Sequence, residues 1–126
     1  RLFRFWFNAG PVRQRLDAID REALVRNEKP FALSFFPPGT GHMPKPGATL
    51  SDKVVQITAM KPAENGRDLI VRLFEPTGRK RTTELRLPFL GVKKKVELSP
   101  FEIKTLMINP RTHKVVEVNL LEKPVR

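Results

Sequence analysis

Cysteine is absent from the 126 residues. Its absence excludes disulfides, thiolate zinc sites and thiol catalysis within this stretch, and it fits a reducing, cytoplasmic compartment. Histidine is scarce. His42 and His113 are the only two, and neither belongs to an HxH or HxxxH cluster of the kind that holds a metal. No apolar run approaches the ~20 residues that a membrane helix needs, so no membrane partner is expected. Gly39-Thr40-Gly41 is not a phosphate loop, because no Lys-Ser or Lys-Thr pair follows it into a helix. The chain opens on Arg1 rather than Met, with no signal-peptide pattern behind it, and is expected to be part of a longer protein.

What is present is enough apolar material, 40% of residues, for the core of one domain or of one domain plus part of another. Basic residues outnumber acidic ones 24 to 13, a formal charge of +11. Such an excess raises the question of a nucleic-acid partner. The basic residues are spread along the whole length, however, and the tight clusters are only Arg79-Lys80-Arg81 and Lys93-Lys94-Lys95. Both are expected in turns between strands, where charge is mostly solvated. Nucleic acid is therefore disfavoured. Part of this basic surface is instead expected to face acidic surface elsewhere in the parent chain.

Period-two alternation dominates the hydropathy pattern. Residues 2–7 place Leu2, Arg4 and Trp6 on one face and Phe3, Phe5 and Phe7 on the other, which predicts an aromatic-rich strand. Asn8-Ala9-Gly10-Pro11 ends it. Val12, Leu16, Ile19 and Ala23 then recur at helical spacing behind Pro11, with Asp17 and Arg21 as an i,i+4 pair. One short helix is expected here. A further strand is predicted over residues 31–36. Residues 37–47 carry four prolines and three glycines and read as a linker or long loop, with a domain boundary at 44/45.

Beyond Leu50 the pattern is that of strands alone, over residues 54–60, 68–75, 82–87, 93–98, 102–108 and 115–120, separated by turn signals. Intervals of roughly ten residues leave no room for crossover helices and predict an antiparallel sandwich. The expected fold class is mainly all-β, an antiparallel β-sandwich with one short helix in the N-terminal third.

Candidate chemistry is thin. Glu84, Glu97, Glu102 and Glu117 alternate with apolar neighbours and read as solvent-face strand residues, while Glu122 also offers a carboxyl group. Glu75 ends a strand with Arg72 and Arg79 close in sequence, and a structural ion pair is the favoured reading over a catalytic acid or base. Trp6, with Phe3, Phe5, Phe7, Phe35 and Phe36, forms the main aromatic concentration. Core packing is the favoured role, with stacking on a sugar ring as the alternative. Trp6, and His42 in the 37–47 loop, are the candidate carbohydrate contacts. No catalytic residue and no metal ligand is assigned.

The wording of the strands carries more than their period. AMKPAENG (59–66), LIVRLFEPTG (69–78) and PFEIKTL (100–106) together resemble the C-terminal β-sandwich region of glycoside hydrolase family 38, the α-mannosidases. REA (21–23), NEKP (27–30) and EVNLLE (117–122) add to the resemblance. In many relatives an element like EVNLLE comes before the PFEIKTL element rather than after it. The resemblance implies a retaining α-mannosidase as the parent, with an aspartate nucleophile and a zinc ion in a barrel that lies N-terminal to these residues. It implies that residues 1–44 are the tail of a larger β-supersandwich and residues 45–126 the terminal sandwich. The fragment itself would be non-catalytic and cofactor-free, with the rest of the parent chain as its partner and mannose-containing glycans reached through the parent. A homo-oligomer remains open, as does a stand-alone carbohydrate-binding module.

Overall fold

The computed structural model describes residues 2–28, 39–41 and 46–125. The chain divides into two compact units, Arg1–Ser34 and Phe35–Arg126. The strand predicted over 31–36, the 44/45 boundary and His42 lie outside the described residues.

In the first unit the helical stripe forms α1, Val12–Asn27. Pro11 precedes the helix as its N-cap, and its carbonyl accepts the Arg15 N–H at 3.0 Å. Glu22 ties two turns together by accepting both guanidinium nitrogens of Arg15 at 2.9–3.1 Å, and it also holds the Asn8 carboxamide at 3.1 Å. Residues 2–7 are not a strand. Alternation supplies a strand with two faces but not with a partner, and no strand in the described residues pairs with this segment. Its aromatics are correspondingly exposed, and α1 itself has no buried residue.

The second unit is a two-layer antiparallel sandwich, as the strand spacing predicts. In chain order its strands are β1 (Thr49–Leu50), β2 (Gln56–Pro62), β3 (Leu69–Phe74), β4 (Arg81–Leu87), β5 (Val92–Leu98), β6 (Ile103–Ile108) and β7 (Val115–Val118). One sheet has the order β1-β4-β5 and the other β2-β3-β6-β7. β1 is too short to show as a period, and it joins the sheet by pairing Leu50 with Leu85. β6 starts at Ile103, one residue inside the expected 102–108. Phe101 sits at φ 58°, a left-handed conformation that breaks the pleat and makes 99–102 a turn.

The inward faces close one core. Val71 and Leu73 of β3 and Leu106 and Ile108 of β6 meet Leu85 and Leu87 of β4 and Val92, Val96 and Leu98 of β5. Burying each such side chain contributes about 1.5–3 kcal/mol relative to exposure. β3 is central and is covered on both sides. Its outward Ile70 is fully buried with Val118 and Ala63 in a second, smaller cluster. Met107 and Val116 pack against that cluster. Glu122 follows β7, at one edge of the sheet, yet its carboxylate reaches Lys61 Nζ (2.8 Å) and the Glu64 N–H (2.6 Å) beyond β2, at the other edge. The chain after β7 therefore clasps the outer face.

Lys93, Lys94 and Lys95 lie inside β5, not in a turn. Lys94 is paired with Leu85 in register, so it occupies an inward position between Val92 and Val96, and it is exposed only because β5 is the edge of its sheet. An inward charge on an edge strand blocks continuation of the sheet by another chain. Lys94→Ile is expected to convert a monodisperse chain into a self-associating one by sedimentation velocity, while Lys94→Glu leaves it unchanged. Leu73→Ala is expected to lower stability by about 2–5 kcal/mol in urea denaturation, the usual loss for a large-to-small change in a sealed core.

Candidate functional site

The strand β3 runs out at Phe74, and the next residue, Glu75, is completely buried. A carboxylate removed from water has to be met by donors. Residues 76–80 curl around it to provide them. Oε1 accepts the Thr77 N–H at 2.9 Å and the Thr77 hydroxyl, and Arg81 Nε donates to it at 3.1 Å. Oε2 accepts the N–H groups of Gly78 (2.7 Å), Arg79 (3.1 Å) and Phe101 (3.1 Å). Gly78 makes this turn sterically feasible. Its φ is 72°, and a Cβ there would lie 2.6 Å from the Phe101 ring.

Sequence proximity pointed to Arg72 and Arg79 as the ionic partners of Glu75. The structure pairs it with Arg81, and Arg79 contributes its backbone N–H. Arg72 points its Nε at the Thr105 hydroxyl instead, 3.2 Å away on β6. The signal for Arg81 was its place as the first residue of the next strand, which returns the chain to the side of Glu75 after the turn. Arg81 also reaches Asp52 Oδ2 (3.4 Å) and Thr77 Oγ1 (3.0 Å). Asp52 in turn holds the Val54 N–H at 2.7 Å and gives its own N–H to Thr83 Oγ1 at 3.1 Å. The network thus spans the crossing from one sheet to the other.

Burial by itself would raise the Glu75 pKa. The Thr77 hydroxyl and the N–H groups of Phe101, Thr77 and Arg79 outweigh it and hold the group at about 2, against an ordinary 4.5. Six donors use all the lone pairs a carboxylate offers, and no solvent reaches it. In this state Glu75 neither takes a proton from a substrate nor attacks one. Its chemistry is architectural.

The remaining carboxylates of the strands are engaged by cations. Glu84 meets Arg86 and Lys93, Glu97 meets Lys80, and Lys104 lies between Glu102 and Glu117. Hydrogen bonding from Arg86 first, then Lys93, lowers the Glu84 pKa. Desolvation pulls Lys104 down, but its two glutamates prevail and its pKa is raised. Lys61 holds Glu122 below its ordinary range.

The candidate sugar contact Trp6 is about half exposed, and the Arg26 guanidinium carbon stands 5.5 Å from its ring centroid. This is a cation–π distance. His113 lies in the turn after β6 at φ 57°, its N–H bonded to the Asn109 carbonyl. Among the described residues no group of three His, Cys, Asp or Glu could hold a metal ion, so the zinc implied by the resemblance finds no ligand set in them. No described helix is long and apolar enough to cross a membrane.

Sandwich topology and a sealed carboxylate held by its wrapped turn are the features that the matched segment shares with the rest of the second unit. Residues 54–106, from β2 through most of β6, match the family model of the glycosyl hydrolases family 38 C-terminal beta sandwich domain. The matched segment is less than half of the chain, and every donor to Glu75 lies within it. Comparisons with curated proteins and with solved structures give no match.

The folded pKa of Glu75 lies below its unfolded value. Its contribution to stability is therefore complete above about pH 4.5 and is lost as pH falls toward 2. The stabilisation at neutral pH is on the order of 3 kcal/mol. Urea denaturation of the wild-type chain between pH 7 and pH 2.5 is expected to show that decline. Glu75→Gln is expected to be destabilised by at least this amount at pH 7 and to show a flatter acid dependence.

Proposed function

We propose that the chain is the non-catalytic C-terminal β-sandwich region of an α-mannosidase-like family 38 hydrolase. It braces the catalytic domain and helps to shape the mouth of the substrate cleft. The observation that carries this reading is the match over residues 54–106, which encloses the whole set of Glu75 donors. Hydrolysis of α-mannosidic bonds, and the zinc ion that assists it, belong in this reading to the parent's barrel. Residues 1–44 would be the tail of the preceding supersandwich and residues 45–126 the terminal sandwich. Its partner is the rest of the parent chain, with mannose-containing glycans met through that parent. The cytoplasm is its setting, which rests on the cysteine-free composition.

A second reading, a carbohydrate-binding module, is favoured by one observation: the half-exposed indole of Trp6. An aromatic face with an accessible side can stack on the apolar face of a hexose. Two measurements separate these readings. The purified chain is expected to give no turnover of an aryl α-mannoside with added zinc, and clear turnover would overturn the architectural role. Titration with manno-oligosaccharides is expected to leave the fluorescence of the single tryptophan without a saturable change. A saturable change lost in Trp6→Ala would transfer the conclusion to the binding module.

A further inference from the structure

Two turns at one end of the sandwich share a construction that the Glu75 network does not explain. One precedes β3 and the other follows β6, and each is an asparagine turn with an arginine two residues on. Asn65 Oδ1 accepts the N–H groups of Arg67 (2.9 Å) and Asp68 (3.2 Å). Asn109 Oδ1 accepts those of Arg111 (3.0 Å) and Thr112 (2.9 Å). β3 and β6 are antiparallel neighbours with Leu69 opposite Ile108, which brings the two turns side by side. Asp68 then locks them together. Its Oδ2 accepts the Asn65 carboxamide at 2.8 Å and its Oδ1 accepts the Asn109 carboxamide at 2.9 Å.

The lock has an electrostatic result. The nearby carboxylate is occupied by two neutral amides, and neither guanidinium has an ionic partner among the described residues. Arg67 and Arg111 both line an open cleft of about 670 Å³, completed by Gly66, Asn109 and Pro110. Two forked donors lining one opening suit a ligand with several anionic oxygens, which each fork can engage in a bidentate manner. Lys94 and Lys95, also exposed, lie on the edge strand β5 and do not line this cleft. We propose that this cleft binds a phosphate group between Arg67 and Arg111. The site is independent of the accessory role proposed above, since it uses neither Glu75 nor Trp6.

Amide and arginine Nε–H resonances of the full chain, followed by NMR at constant ionic strength, test the proposal with inorganic phosphate and with a hexose phosphate as probes. Saturable shifts are expected at Gly66, Arg67 and Arg111. Arg67→Ala and Arg111→Ala are each expected to weaken binding by at least about tenfold, in keeping with a lost charge-assisted hydrogen bond. Arg67→Lys is expected to weaken it less, and Lys94→Ala with Lys95→Ala not at all. Tighter binding of the hexose phosphate would assign the cleft to a phosphomonoester on an organic carrier, and equal binding to free phosphate; both support the site. A wild-type titration that fails to saturate would overturn it, as would shifts spread equally over Lys94 and Lys95 or unchanged affinity in both alanine variants.

Discussion

A carboxylate with no access to water must gather its donors from the protein, and Glu75 gathers them from every segment that meets where the chain changes sheets. The turn after β3, the first residue of β4 and the turn before β6 all converge on its two oxygens. Through Arg81 the network continues to Asp52 and the segment after β1. Hydrophobic burial is non-directional and would accept many relative positions of the two layers. Donors at 2.7–3.1 Å accept few. The core thus supplies cohesion, and the buried charge selects one arrangement. Phe101 shows what that selection costs locally, for it is held at positive φ beside the same carboxylate.

Such a site gives the residues EPTG, 75–78, a structural reason for their order. The residues EPTG read first as a strand stop. In the structure they are an anion cradle built from the protein's own backbone, with the anion supplied by the same chain. Successive N–H groups curling around a charge are familiar from phosphate sites. Here Glu75 is the resident anion, and the cradle is closed to anything else.

How much of this was visible in the residues divides by physical range. Six strands were legible because each alternates within its own few residues, and the helix of the first unit because Val12, Leu16 and Ile19 keep a helical spacing. Residues 2–7 alternate equally well, yet they form no strand, since periodicity reports a capacity to pair and not the presence of a partner. The lysines 93–95 fall in the strand expected over 93–98 yet also read as a solvated cluster, because a run of like charge hides the pleat beneath it. Only the register opposite Leu85 reveals that the middle one faces inward. Closeness along the chain favours Arg72 and Arg79 as partners of Glu75, whereas closeness in space brings Arg81 to it. The two asparagine turns were each readable as turns. That they are neighbours follows from the β3–β6 pairing, which joins residues about forty positions apart.

The clasp formed by Glu122 bears on the order in which the molecule can come together. Its bond to the Glu64 N–H joins residues 58 positions apart, so it forms only after β7 has been made. Ile70 and Ala63 likewise come earlier in the chain than Val116 and Val118, which share their cluster. The outer face of the four-stranded layer is therefore the last part of the sandwich to be completed during synthesis.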